Sequence, residues 1–358
     1  MNPSPTIHGV SSAFPDTRVD REPAYETLLT LFPEIDERFI ASLLERSGVG
    51  TRYVAPELEL LIAGRDFTAR NTAWHAHALS LAERAGAAAL HRSRLAAAEI
   101  DTIIDVSCTG IAIPALDVEL VERLGLRSNV RRVPITESGC AAGGLALGLA
   151  ASLARGGDSV LVIAVEVCSL ALPAEQRSRT DVVAAALFAD GAAAAVVRPP
   201  RVAQDGGDAF PRILGQGSFL VPGTLCTMGF DVGSHGLRIV LDRELPDLLL
   251  EAAPAAVDAF LGRHGLGREQ VGLYLLHPGG RRVLEVWEVC FGLAPGALKH
   301  SRESLARYGN LSSASILTVI ELALADGARV APGQVALAVA VGPGLSLEFL
   351  LLQWPGHG

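Results

Sequence analysis

Short β-branched runs alternate along this chain with longer segments rich in alanine and leucine, a rhythm that predicts strand–helix–strand units rather than a β sandwich or a helical bundle. Asp101–Ser107 and Ser159–Val167 read as strands. Ala141–Ala154, between them, is an almost wholly apolar helix, and a helix apolar on every side has to be buried. The second half repeats the pattern. Val271–Leu276 is a strand that ends in HPGG much as the strand before Ser107 ends in CTG; GDSVLVIAVEV has a counterpart in PGQVALAVAVGPG; and an apolar helix spans Ile316–Ala325. The fold class expected is α/β, built from two related halves. The divide is expected near Pro199-Pro200-Arg201 and the Gly/Asp stretch through Asp208, where hydrophobicity lapses, giving halves at 1–205 and 206–358.

Composition sharpens this picture. An apolar fraction of 49% and a mean hydropathy of +0.34 point to a sheet covered on both faces, or to a large subunit interface. A membrane span is the rival reading, but the longest apolar stretch, Ser159–Leu172, is broken by Glu166 and falls short of the roughly 18–20 residues needed to cross a bilayer. A soluble protein is expected, with no integral membrane association. The net charge of −9 disfavours general nucleic-acid binding, which rests on cationic neutralisation of phosphates, so an anionic substrate has to meet a local basic patch. Five cysteines in mostly apolar surroundings, with no CxxC spacing, fit reduced thiols better than disulfides. The N-terminus MNPSPTIHGV lacks a basic region followed by an apolar one, and a cytoplasmic location is expected.

Three positions carry candidate chemistry. Cys140 follows Gly139 where TESG gives way to the buried helix, so the helix dipole and free backbone N–H groups are expected to lower its pKa and to hold an oxyanion. The alternative is a structural cysteine acting as a small hydrophobe. His277 lies on a turn at the C-terminal end of a strand, where α/β proteins keep their active sites; a satisfied core histidine is the alternative. Asn310, in YGNLSSAS before an apolar helix, suits an N-cap or a turn when taken alone. Taken together they supply a thiolate, an imidazole partner and an amide donor for a carbonyl oxygen that gains negative charge. The uncharged third member matters: a hydrolase that deprotonates water favours a carboxylate behind its histidine, whereas decarboxylation to an enolate needs neutral or cationic donors around the oxygen.

With those residues goes an ordered set of motifs: Glu137-Ser-Gly-Cys140-Ala-Ala-Gly-Gly144, Ala186-Leu-Phe-Ala-Asp-Gly191, His277-Pro-Gly-Gly280, Tyr308-Gly-Asn-Leu-Ser-Ser-Ala314 and Val341-Gly-Pro-Gly-Leu345. In this the chain resembles the type III polyketide synthases, the chalcone-synthase-like branch of the thiolase superfamily, over most of its length. Ketoacyl synthase III enzymes share the Cys-His-Asn set, but their histidine usually lies in an HQxN-type motif.

The resemblance implies a thiolase-like αβαβα layered fold and a decarboxylating acyltransferase. Cys140 would take an acyl starter from acyl-CoA as a thioester. His277 and Asn310 would assist decarboxylation of malonyl-CoA and stabilise the enolate; Claisen condensation and cyclisation to a resorcinol, pyrone or phloroglucinol-type product would follow. Phe188 matches an aromatic gatekeeper between CoA tunnel and cavity, and a second gatekeeper aligns with Ile239, a departure that would reshape the entrance. Cys108 and Ser312 match cavity-lining positions. Ile113 matches a residue that reaches across a homodimer, and Gly342-Pro343-Gly344 a loop that shapes the cavity floor. Arg46 and Arg38 approximately match cations that grip CoA phosphates. No bound cofactor is implied, since acyl-CoA and malonyl-CoA enter as substrates. No metal is expected either, because His75 and His77 do not share a helix face. The competing readings are a ketoacyl synthase III-like single condensation and a thiol hydrolase of acyl-CoA.

Overall fold

Both predicted strands of the first half are sheet interior. The computed structural model describes residues 4–55, 66–171, 178–199, 210–233, 236–331 and 333–354. The first half runs β1 (Thr6–Ala13), β2 (Thr17–Asp20), α1 (Arg21–Leu31), α2 (Glu37–Arg46), β3 (Thr51–Val54), α3 (Phe67–Ser93), β4 (Thr102–Val106), α4 (Asp117–Arg123), β5 (Arg131–Ile135), α5 (Ala142–Arg155), β6 (Val160–Val167), α6 (Cys168–Ala171), α7 (Arg179–Leu187) and β7 (Asp190–Arg198). The second runs β8 (Arg212–Leu220), β9 (Met228–Gly233), β10 (Gly236–Leu241), α8 (Leu245–Gly262), β11 (Val271–Leu276), α9 (Arg281–Phe291), α10 (Lys299–Tyr308), α11 (Ser315–Ala325), β12 (Val335–Gly342) and β13 (Ser346–Gln353). The divide expected through Asp208, with its boundary between 205 and 206, lies outside the described residues.

Nine strands form one sheet in the order β11-β12-β13-β8-β1-β7-β6-β4-β5. The seam between β8 and β1 is a single residue pair, Thr6 with Arg212. The pairing pattern repeats on either side of it. β1 is antiparallel to β7, β7 to β6, and β6 parallel to β4; β8 is antiparallel to β13, β13 to β12, and β12 parallel to β11. β6 therefore corresponds to β12 and β4 to β11, the two likenesses already visible in the sequence. All eight residues of β6 and of β12 are buried, as expected for strands with helices on both faces.

The helices complete five layers. α5 and α11 lie in the middle, in one apolar cluster with Ile104, Val162 and Ala193 of one half and Leu275, Ala338 and Leu350 of the other. α3 covers the outer face of the first half through Leu81, Ala82 and Ala85, against Ile103, Ile163 and Val165. α8 and α9 cover the outer face of the second through Val257, Phe260 and Trp287, against Leu337 and Phe349. This is the αβαβα layering expected of a thiolase-like fold. Its centre is tight: a Cβ added at Gly143 of α5 would stand 2.1 Å from the Ser313 carbonyl oxygen, so only glycine lets the start of α5 approach the turn before α11.

Candidate active site

Cys140 sits on one 3₁₀ turn, Gly139–Ala141, that leads into α5. Gly139 has φ +50°, and a Cβ there would lie 2.6 Å from Pro343 Cγ. A left-handed backbone and a proline at its face leave glycine as the residue that fits. Gly342 backs the same turn, its hypothetical Cβ 2.5 Å from Ala141 Cβ. The expectation that Gly342 lines the cavity is therefore corrected: it supports the nucleophile from behind.

Ser312 joins two of the three candidate stretches, and Asn310 ties in the third. Ser312 Oγ lies 3.3 Å from Cys140 Sγ and 3.6 Å from Cys108 Sγ. Its backbone is left-handed, φ +50°, unusual for a residue with a Cβ. What holds it there is Asn310, whose Oδ1 accepts the Ser312 N–H at 2.9 Å and the Ser315 hydroxyl at 3.3 Å. Asn310 Nδ2 donates to the Gly279 carbonyl at 3.4 Å, on the turn that follows His277. The Asn310 backbone is fixed in turn to the end of α7, donating to Leu187 O and accepting from Ala189 N, both at 2.9 Å. His277 extends β11, its N–H bonded to Val339 O at 2.9 Å. His277 and Asn310 are each 2% exposed, and His277 Nδ1 has no hydrogen-bond partner among the described residues. The turn role expected of Asn310 alone is present, and Ser312 links it to the thiol. No hydrogen bond joins the imidazole to the thiol.

Electrostatics correct one expectation. Burial pushes the Cys140 thiol up to about 12; the Ser312 hydrogen bond opposes the shift and the Glu166 charge adds to it. Burial also lowers His277 to about 4. One turn of 3₁₀ helix gives back less than the apolar surroundings take from a charged sulfur, so the resting site holds a neutral thiol and a neutral imidazole rather than an ion pair. Glu166, which the sequence showed only as a break in an apolar run, is fully buried in β6. It accepts hydrogen bonds from Cys108 N at 3.1 Å, Cys108 Sγ at 3.4 Å, Thr109 Oγ1 at 2.9 Å and the Ser313 hydroxyl. Burial raises its pKa. None of its hydrogen bonds goes to His277, so it is not a carboxylate orienting the histidine.

A cavity of about 390 Å³ opens on Cys140. Cys108, Ser312, Phe188, Ile239 and Pro343 line it, five of the positions expected to do so. Cys168, Met228, Arg52 and the Ala24, Leu28 and Leu31 face of α1 also line it, and sequence reasoning named none of them. Gly344, expected at the cavity floor, lines an adjoining cleft of about 790 Å³ instead of the Cys140 cavity, and Ile113 is 95% exposed at that cleft. Arg38 and Arg46 are exposed on α2 and lie outside the cavity lining. Among the described residues, no cluster of His, Cys, Asp and Glu is arranged to hold a metal, and no helix is long and apolar enough to cross a membrane.

The chain matches the chalcone and stilbene synthase family, its N-terminal domain over residues 5–199 and its C-terminal domain over 215–354. It is 37% identical to a 1,3,6,8-tetrahydroxynaphthalene synthase of Streptomyces peucetius subsp. caesius, over 98% of this chain and 93% of that one. To a 3,5-dihydroxyphenylacetyl-CoA synthase of Amycolatopsis balhimycina it is 31% identical, over 89% and 82%. The solved tetrahydroxynaphthalene synthase of Streptomyces coelicolor A3(2), a bacterial type III polyketide synthase, superposes with a TM-score of 0.90 at 30% identity, over 99% of this chain and all of that one. Fold, ordered motifs and these likenesses agree that the chain belongs to the chalcone and stilbene synthase family, the type III polyketide synthases.

Proposed function

We propose that this enzyme loads an acyl group from acyl-CoA onto Cys140 and extends it with malonyl-CoA by decarboxylative Claisen condensation. The observation that carries the reading is that Cys140 and Ser312 line one apolar cavity and that hydrogen bonds tie Ser312 through Asn310 to the turn after His277. His277 takes the thiol proton as the sulfur attacks the starter thioester, so no thiolate has to persist in the apolar site. The imidazole and the Asn310 amide then donate to the malonyl thioester oxygen as carbon dioxide leaves and negative charge builds there. Phe188 and Ile239 shape the passage to the thiol. Arg38 and Arg46 on exposed α2 meet the phosphates of CoA, and no resident cofactor or metal takes part.

The working unit is a homodimer. Ile111, Ile113, Leu220, Leu225 and Val232 are 45–95% exposed around the outer cleft, an apolar surface that needs a cover, and Ile113 is the side chain that would reach the neighbouring copy. The chain divides between residues 205 and 206, and the enzyme works in the cytoplasm. The names of the relatives support an aromatic, cyclised polyketide as product. The test is turnover of malonyl-CoA with a panel of acyl-CoA starters, followed by carbon dioxide release and product mass. Cys140→Ala is expected to lower product formation at least ~1,000-fold; a variant that keeps its activity overturns the reading. A strict demand for malonyl on an acyl carrier protein selects a ketoacyl synthase III-like enzyme instead.

A further inference from the structure

Arg52 is 5% exposed and lines the wall of the Cys140 cavity. Its Nη1 donates to Ala185 O at 2.5 Å and its Nη2 to Ala186 O at 2.8 Å, both at the C-terminal end of α7. Those carbonyls carry only the partial negative charge of a helix end. Among the described residues the guanidinium's hydrogen bonds go to these carbonyls and to no carboxylate, and no other charged residue lines the cavity. A buried cation without a counter-ion is an unusual arrangement, because the charge loses its hydration and gains no opposite charge in return. Burial lowers its pKa to about 10, which leaves it cationic near neutral pH.

The position of this cation relates it to the reacting groups. The same end of α7 that Arg52 caps also binds Asn310, through Leu187 O. A Cβ placed on Gly309, next to Asn310, would lie 3.8 Å from Arg52 Cβ. Cys140 and Arg52 both line the cavity, and its other lining side chains are uncharged. A phosphate group, doubly charged, calls for several cations, whereas a single planar guanidinium with two N–H groups already committed suits one carboxylate.

We propose that Arg52 is a specificity residue that receives the free carboxylate at the far end of an ω-carboxyacyl chain held on Cys140. The proposal rests on Cys140 being acylated by CoA thioesters. In that step the sulfur–carbon bond to the acyl group forms, the bond from the acyl carbon to the CoA sulfur breaks, and CoA leaves as the thiol with the proton that Cys140 gave up. The distant carboxylate does not react; it pairs with Arg52, and the acyl chain spans the apolar space between.

The experiment measures acylation of Cys140 by intact-protein mass spectrometry with two matched pairs, succinyl-CoA against butyryl-CoA and glutaryl-CoA against pentanoyl-CoA. It compares the native enzyme with Arg52→Gln, which keeps hydrogen-bond donors toward α7, and Arg52→Lys, which keeps the charge. The expected result is a tenfold or larger fall in the carboxyacyl-to-neutral rate ratio in Arg52→Gln for at least one pair, with neutral acylation within about twofold of native and most of the ratio restored in Arg52→Lys. A ratio unchanged by Arg52→Gln overturns the proposal. So does an equal loss for both members of each pair, which would mark Arg52 as a cap for α7 and nothing more. If no acyl-CoA modifies Cys140 in the native enzyme, the underlying catalytic reading fails, an outcome distinct from either.

Discussion

The turn that leads into α5 and the turn that leads into α11 hold corresponding places in the two related halves, yet they are built for opposite tasks. The first carries Cys140 on a strained glycine turn, with the Ser312 hydroxyl as its only hydrogen-bonding side-chain neighbour among the described residues. The second, Gly309–Ser312, is a frame: Asn310 binds Ser312, Ser315, the Gly279 carbonyl and the end of α7 through backbone and side chain together. One turn leaves a reactive atom free to form a bond with substrate, and the other ties its amide oxygen to Ser312 and Ser315 and its amide nitrogen to Gly279. Duplicated scaffolds offer this division because each half brings a buried helix to the same centre, where only the residues before the helix need differ.

The most damaging way to disturb the comparison is to push the two turns apart. Gly143→Ala places a methyl 2.1 Å from Ser313 O, and overpacking against backbone is expected to cost about 3 kcal/mol. Thermal denaturation together with Cys140 acylation checks this; an unshifted melting temperature would mean that the two turns are not in fixed contact. Removing the proposed base comes next. His277→Ala should slow iodoacetamide alkylation of Cys140 at pH 7 by about 100-fold. With burial holding the thiol near 12, the rate in that variant should keep rising with pH beyond pH 9, since a raised pKa leaves little thiolate until the solution is strongly basic. The smallest effect belongs to the hydroxyl that links the turns. Ser312→Ala removes the hydrogen bond that lowers the Cys140 pKa and should slow the same alkylation about threefold to tenfold, leaving stability within ~1 kcal/mol.

Much of this arrangement is legible in the amino-acid sequence because it is local. Gly139-Cys140 before an apolar helix, a histidine on a turn after a strand, and asparagine at the head of YGNLSS are short-range patterns, and the likeness of β6 to β12 follows from strands buried on both faces. What stayed hidden is non-local or energetic. Glu166 reads as an interruption in an apolar run; only the fold brings Cys108, Thr109 and Ser313 around it, although a carboxylate within an otherwise apolar strand was a usable signal. Arg52 belongs to a short strand far along the chain from α7, and nothing in its surroundings in sequence marks it as buried beside a cavity. The thiol pKa was misjudged in sign because the helix terminus is a local feature while desolvation depends on the whole apolar centre. Gly344 was expected at the floor of the Cys140 cavity and lines the outer cleft instead.

The central claim is that the two turns divide the chemistry, with thioester formation at Cys140 and decarboxylation under the donors of Asn310 and His277. Asn310→Asp tests it most directly, because the variant keeps the oxygen that holds Ser312 in place and loses the Nδ2 donor. Acylation by a starter acyl-CoA and carbon dioxide release from malonyl-CoA are measured on the same protein. Acylation within about threefold of native, with decarboxylation reduced ~100-fold or more, is the predicted result. A parallel fall in both, or decarboxylation at the native rate, would contradict the division.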